Sequence, residues 1–302
     1  MIAASEQNSH GQPRHIAILT HEFDEFGDTN YFLSKVVEIW RSRGIRISVL
    51  KGPWPKIDAD VAIMHCDMTV VPEEYKKSLR HFPIVLNGLV TDISKKHISA
   101  NLVHRHDGYQ GPVIVKTNRN FGGHREAEVT ARRSLLRRCI HRFRRTLPWT
   151  FRAEIGVWSY PIYNSVTEVP LPIWFNPDLV VERFLPERQD EFYCMRTWLF
   201  LGEAELNLLM FANQPIIKSP VAVRIEEAEV PEELRHIRRK LGFDYGKLDY
   251  GIVDGRVVLY DANRTPAVGT ASVFMPLFEK MADGIAAFIP GSTPKISQPS
   301  AA

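Results

Sequence analysis

The chain has 302 residues, of which 44% are apolar and 24% charged, and a formal net charge of +3. This balance is that of a soluble globular protein with core enough for one large or two to three small domains, and the mild charge names no polyanionic partner. Cys66, Cys139 and Cys194 form no disulfide or zinc pattern, and no stretch reaches the roughly 20 apolar residues of a membrane span, so a cytosolic protein with reduced thiols is expected.

The N-terminal stretch has no apolar core and is not a signal peptide; the polar ends, 1–13 and 291–302, are expected to fray. His15 to Leu19 reads as a buried strand, and Tyr31 to Ser42 has helical spacing. Ile45 to Leu50 and Asp60 to His65 read as strands, Pro72 to Arg80 as a helix and Pro83 to Leu86 as a fourth strand. Strand–helix–strand at this spacing predicts a small parallel α/β sheet with right-handed crossovers. Ligands in such sheets sit beyond the strands' carboxyl ends. That places His21, Glu22, Asp28, His65 and Asp67 near one rim, to contact a substrate or to cap helices and satisfy loop backbone.

Val113 to Val115 is a strand core followed by Lys116 and the run Asn118 to Gly123, NRNFGG. Glycines let backbone fold over an anion, and a lysine at a strand end supplies a point charge for a phosphate. The spacing is not that of a P-loop. Glu126 to Leu147 predicts one very basic helix with an apolar stripe, read as a solvated face in preference to a polyanion site. Tyr160 to Trp174 reads as β-like and broken by prolines. Asp178 to Leu185, Glu191 to Leu201 and Leu206 to Phe211 read as strands, and Pro231 to Leu241 and Val273 to Phe288 as helices.

Lys247 to Pro266, KLDYGIVDGRVVLYDANRTP, predicts a hairpin about Asp254-Gly255. Asp249, Asp261 and Asn263 carry oxygen ligands suited to Mg²⁺ if they share a sheet face; otherwise they are solvated acids of an ordinary hairpin. A two-residue turn pairs Val253 with Arg256 and puts the two carboxylates on opposite faces. A three-residue loop with Gly255 left-handed pairs Ile252 with Arg256 and brings all three oxygens to one face, so this register is expected.

Taken in order, VIVKTNRNFGG at 113–123, LVVERFLPE at 179–187 and the 247–266 hairpin resemble the ATP-grasp superfamily, over about 14–288. The resemblance implies an α/β and α+β fold. An N-terminal Rossmann-like domain at 14–90 would precede a first ATP-grasp lobe at 91–180 and a second at 181–290. It implies MgATP between the lobes, with one or two Mg²⁺ ions and Mn²⁺ as a substitute. Lys116 and Lys95 would contact the phosphates, with Lys96 as the alternative to Lys95. Asn120, Gly122 and Gly123 would cover the phosphates. Arg183, Phe184 and Leu185 would meet adenine through their backbone, with Leu259 also at the nucleotide and Glu187 or Glu182 at the ribose. Asp249, Asp261 and Asn263 would hold the metal, and Arg196, with Lys116, would steady the transferred phosphoryl group. The implied activity is a carbon–nitrogen ligase that activates a carboxylate as an acyl phosphate. The alternatives are a phosphotransferase or a non-catalytic nucleotide-binding regulator. Partners would be small carboxylate and acceptor substrates, without membrane or nucleic acid, and a homodimer is the common default. Three departures stand out: Asp261 is one methylene shorter than the usual Glu, which puts bridging of two ions in question; Ala267 replaces a usual Gly; and the run Tyr193-Cys194-Met195-Arg196 lacks the Asp that relatives often carry near the arginine.

Overall fold

The computed structural model describes residues 13–156, 158, 160–267 and 275–289. The expected tails lie outside these residues apart from Pro13, as do Val273 and Phe274 of the last helix.

Four strands form the first sheet: β1 (His15–Thr20), β2 (Arg46–Lys51), β3 (Val61–Met64) and β4 (Val85–Leu86), all parallel in the order β2-β1-β3-β4. β1 and β3 are buried at every position, as central strands covered on both faces require. Helix α1 (Phe32–Ser42) covers one face through Phe32, Leu33, Val36, Val37 and Trp40. The short α2 (Glu73–Lys76), running into a 3-10 turn, precedes β4.

The second sheet is small: β5 (Val113–Thr117) lies between β6 (Ile162–Tyr163) and β7 (Leu179–Arg183), with α3 (Lys95–Ile98) beside it in sequence. Two expectations fail here. The basic helix is two helices, α4 (His124–Arg133) and α5 (Leu135–Arg144), because Ser134 takes an extended φ of −160°. The stretch 160–174 is mostly not strand; after β6 it forms a 3-10 turn and the five-residue α6 (Leu171–Phe175), started by the prolines. β7 also carries this sheet to residue 183, past the lobe boundary expected at 180.

The third sheet orders β11 (Arg224–Glu227), β10 (Ala204–Ala212), β9 (Phe192–Leu201), β12 (Tyr245–Val253) and β13 (Arg256–Asn263), with β8 (Glu187–Gln189) also on β9. Helix α7 (Glu232–Leu241) leads into β12, and α8 (Met275–Asp283) returns to pack on α1, where Trp40 Nε1 donates to the Ala282 carbonyl at 2.9 Å. The first and third sheets share their cores: Ala17, Leu19 and Met64 pack in one cluster with Trp198, Phe200, Leu248 and Tyr250. The small sheet has its own core, built on Val113, Val115, Ile155 and Val181. Among the described residues, no helix is long and apolar enough to cross a membrane.

Candidate active site

The β12–β13 hairpin sets the site. Its turn is the two-residue kind, Asp254 and Gly255 both at positive φ (50° and 75°), and Val253 pairs with Arg256. The three-residue loop expected from the sequence is therefore wrong. Carried to the strand ends, that turn would set Asp249 against Tyr260. A bulge corrects it: beyond Tyr250–Leu259 the register shifts, Tyr260 is left unpaired, and Asp249 lies opposite Asp261 and Lys247 opposite Asn263. Four polar side chains thus share one face by a device the sequence reading located elsewhere. The bulged Tyr260 turns its hydroxyl to the neighbouring segment, donating to the Leu185 carbonyl at 2.7 Å and accepting from the Glu187 N–H at 3.2 Å.

Across from this face stand two lysines of other elements. Lys95, buried at the start of α3, donates to Asp261 Oδ1 at 2.5 Å, and Lys116 on β5 lies 2.7 Å from Glu182 Oε2 and 3.5 Å from the Tyr260 carbonyl. Burial opposes charge on Lys95 and Asp261, yet each holds the other ionised: the lysine's pKa is raised and the carboxylate's lowered. Lys96 is exposed and donates to the Pro177 carbonyl, so Lys95 is the lysine in the cleft. Lys247, which the sequence reading missed, lies 2.8 Å from Asp249 Oδ2, while Thr197 donates to Asp249 Oδ1 at 2.8 Å. Its signal was present: two residues before Asp249 on a strand is the same face.

Lys95, Lys116, Glu182, Asp249 and Asp261 border a cleft between the small and large sheets, lined also by Ile114, Tyr160, Phe184, Leu185, Met195, Lys218 and Leu259, while Lys247 and Asn263 stand beside it on the hairpin. Polar lysines and carboxylates occupy one end, while Phe184, Leu185, Met195, Ile216 and Leu259 make the other end apolar. The charged end suits phosphates and the apolar end a flat ring. A cleft between two sheets, with lysines on one side facing the acids of a hairpin on the other, is what the resemblance to ATP-grasp proteins implies.

Several expected residues sit elsewhere. Asn120, Gly122 and Gly123 do not line the cleft. A Cβ on Gly122 would come within 2.4 Å of the Ile155 carbonyl and one on Gly123 within 2.6 Å of that of Ala153, so these glycines permit packing against 153–155. The Asn120 N–H is taken by Thr69 Oγ1 at 2.9 Å, which holds the loop against the first domain. The Arg183 and Phe184 N–H groups are taken by the carbonyls of Asn101 and Pro112, so adenine cannot rely on them in this form. Glu187 is buried and saturated: Arg196 grips it through Nε and Nη2, and the N–H of Ile252 and the amide of Gln189 donate to it. Burial opposes its charge, but those donors keep its pKa lowered. Arg196 pairs with Tyr250, one register position from the Thr197–Asp249 pair, and so points to the sheet face away from Asp249. The arginine clamp and the Glu187 ribose contact are corrected accordingly; Glu182, with a buried Oε1 that has no partner among the described residues, does line the cleft.

At the rim, His21 and His65 are fully buried, and His65 packs edge-on against Phe26 and Tyr31. Asp67 accepts from the hydroxyls of Tyr31 (3.1 Å) and Thr265 (2.8 Å), and Glu22 pairs with Arg133. Arg264 is wholly buried and donates to the carbonyls of Cys66, Met68, Thr69 and Val90, tying the end of β13 to the first domain.

No protein-family model and no curated protein matches the chain. Among solved structures, it is similar to a D-alanine–D-alanine ligase from Bacillus anthracis (12% identity, TM-score 0.49, 90% of this chain and 96% of that one). It is also similar to a RimK domain ATP-grasp protein from Sphaerobacter thermophilus (10%, 0.48, 90% and 99%) and to the macrocyclase MdnB from Microcystis aeruginosa (11%, 0.45, 90% and 99%). Likeness at this level says nothing of substrate or activity.

Proposed function

We propose that the protein is an ATP-dependent ligase that activates a carboxylate as an acyl phosphate for attack by an amine or similar nucleophile. The observation behind this reading is the pairing of Lys95 and Lys116 with Asp261 and Glu182 in one cleft, beside Asp249 and Asn263 on the same strand face. Among the described residues, no three His, Cys, Asp or Glu side chains gather as a metal cage. Two carboxylates and an amide oxygen are instead a donor set that Mg²⁺ completes with water and nucleotide phosphates. Asp249 and Asp261 would hold it there together with Asn263, whose Oδ1 now accepts from the Thr265 N–H at 2.8 Å and would have to turn to the ion, and the metal would offset phosphate charge.

The chain's own groups supply the rest. A carboxylate approaching a γ-phosphate brings anions together, and the ammonium groups of Lys95 and Lys116 counter that repulsion and align the groups. Each lysine now rests on an acid, so each must exchange that partner for phosphate oxygens. Phe184, Leu185 and Leu259 would flank the base, and Glu182 would accept from the ribose. The incoming nucleophile then attacks the acyl carbon, forming the new bond as the carbon–oxygen bond to phosphate breaks; inorganic phosphate leaves and the nucleophile's proton passes to solvent, a step that needs no nucleophilic side chain.

The test is ADP release with MgATP across a panel of carboxylates and amines. We expect turnover that depends on both metal and carboxylate and falls at least about a hundredfold in Lys116→Ala and Asp261→Ala. Full turnover in both variants rejects the assignment. A phosphorylated product without condensation would instead point to a phosphotransferase, and nucleotide binding without ADP to a regulator.

A further inference from the structure

Residues 129–153 contain eight arginines and no carboxylate, while the rest of the chain carries 30 basic side chains against 35 acidic ones. Arg132 and Arg133, at the start of this segment, are matched to Glu128 and Glu22, as elsewhere Arg196 is to Glu187 and Arg235 to Glu205. Around α5 they are not. Arg137, Arg144 and Arg145 line a pocket of about 250 Å³ with Arg119, Arg152 and Ile140, and their side chains meet no acid among the described residues. The acid in the pocket wall, Glu154, is already shared by His141 at 2.9 Å and His124 at 3.3 Å. Arg119 is held by Asp178 at 3.0 Å, and Arg152 donates to the Leu147 carbonyl at 2.7 Å. Guanidinium groups from a helix and from the segment after it therefore converge without a counter-charge. Like charges so gathered repel, and an oxyanion that accepts their forks relieves this.

The same helix leaves large apolar side chains in water. Leu136, Ile140 and Phe143 are 70%, 47% and 66% exposed, and their spacing of four and three places them in one stripe. Ile140 also lines the arginine pocket, so stripe and pocket are continuous. A contiguous exposed apolar strip marks an interaction surface. A bare phosphate would satisfy the arginines and leave the strip wet. Single-stranded nucleic acid needs several stacking aromatics, and the strip offers Phe143 alone.

We propose that this face binds an acidic peptide segment whose carboxylates enter the arginine pocket and whose apolar side chains cover Leu136, Ile140 and Phe143. This site is distinct from the nucleotide cleft and stands whether or not the ligase reading does.

The experiment is fluorescence anisotropy of the full chain with a short labelled peptide alternating Glu and Leu. Comparators are a Gln/Leu and a Glu/Ser peptide, inorganic tripolyphosphate and phosphatidylserine vesicles. Expected are binding of the Glu/Leu peptide, about tenfold weaker binding by Arg137→Glu with Arg144→Glu, and several-fold weaker binding by Leu136→Ser with Phe143→Ser. These positions are exposed, and an unchanged melting temperature verifies that both variants fold. The proposal is overturned if the Glu/Leu peptide does not bind, if either comparator peptide binds equally well, or if both double variants bind like the parent. Tighter binding of tripolyphosphate or of the vesicles at the same arginines overturns it too.

Discussion

Asp24 is a fully buried carboxylate whose Oδ2 accepts from the Tyr31 hydroxyl at 3.2 Å and whose Oδ1 has no partner among the described residues. Burial, then the neighbouring Asp67, pushes its pKa up to about 6. Between the ordinary carboxylate range and pH 6 the folded chain therefore binds more protons than the unfolded one, so stability falls as pH rises through that window and is level above it. Asp24→Asn should raise stability by about 1–3 kcal/mol at pH 8 and by little at pH 3, read by denaturant unfolding at both. An equal effect at both pH values would assign the gain to packing. Lys247 poses a different question, because its ammonium rests on Asp249, an acid proposed for the metal. In Lys247→Met that competition is gone, and Mn²⁺ titrated in the presence of a non-hydrolysable ATP analogue should bind several-fold more tightly. Unchanged affinity would place Lys247 outside the metal's surroundings.

The hairpin shows how one residue decides what an element presents. The alternation of β12 and β13 was readable, and so was the turn at Asp254-Gly255. The extra residue was not, because nothing local marks Tyr260 as bulged; its hydroxyl is held by Leu185 and Glu187, about seventy positions away in sequence. Gly251 completes the device, since a Cβ there would come within 2.2 Å of the Tyr260 hydroxyl. Gly251→Ala should therefore displace that ring, cost about 1–3 kcal/mol in denaturant unfolding, and weaken nucleotide analogue binding as the register of Asp261 loosens. Loss of stability with unaltered binding would separate the bulge from the site. The glycine loop teaches the reverse lesson. Gly122 and Gly123 looked like anion binders, but what their missing side chains accommodate is the backbone of 153–155. A glycine reports that something comes close, and the sequence does not say what.

The first and third sheets are joined by shared cores and by Arg264, while the small sheet keeps a core of its own. The cleft between the small and large sheets encloses about 110 Å³, below the roughly 300 Å³ of the smallest ordinary ligand pockets. If the cleft takes the proposed nucleotide, the two sheets should part to admit it. Stopped-flow binding of a fluorescent ATP analogue should then show an observed rate that levels off at high ligand, with an apparent second-order constant well below about 10⁷ M⁻¹s⁻¹. A rate that stays linear and fast would mean the cleft is open in solution.

The sequence by itself determined the parallel strands and first helix of the first domain and the strands that carry Lys116, Asp249, Asp261 and Asn263, because hydrophobic period and turn chemistry are local. It left Lys95 and Lys96 as alternatives, since the two differ only in direction once α3 forms, and the structure puts Lys95 in the cleft. The tertiary structure alone decided that Arg196 faces away from the acids, that Glu187 is its partner, that Lys247 joins the site and that Tyr260 sets the register. Each of these depends on which side chain from a distant segment arrives opposite, and contacts between distant segments leave no period in the chain.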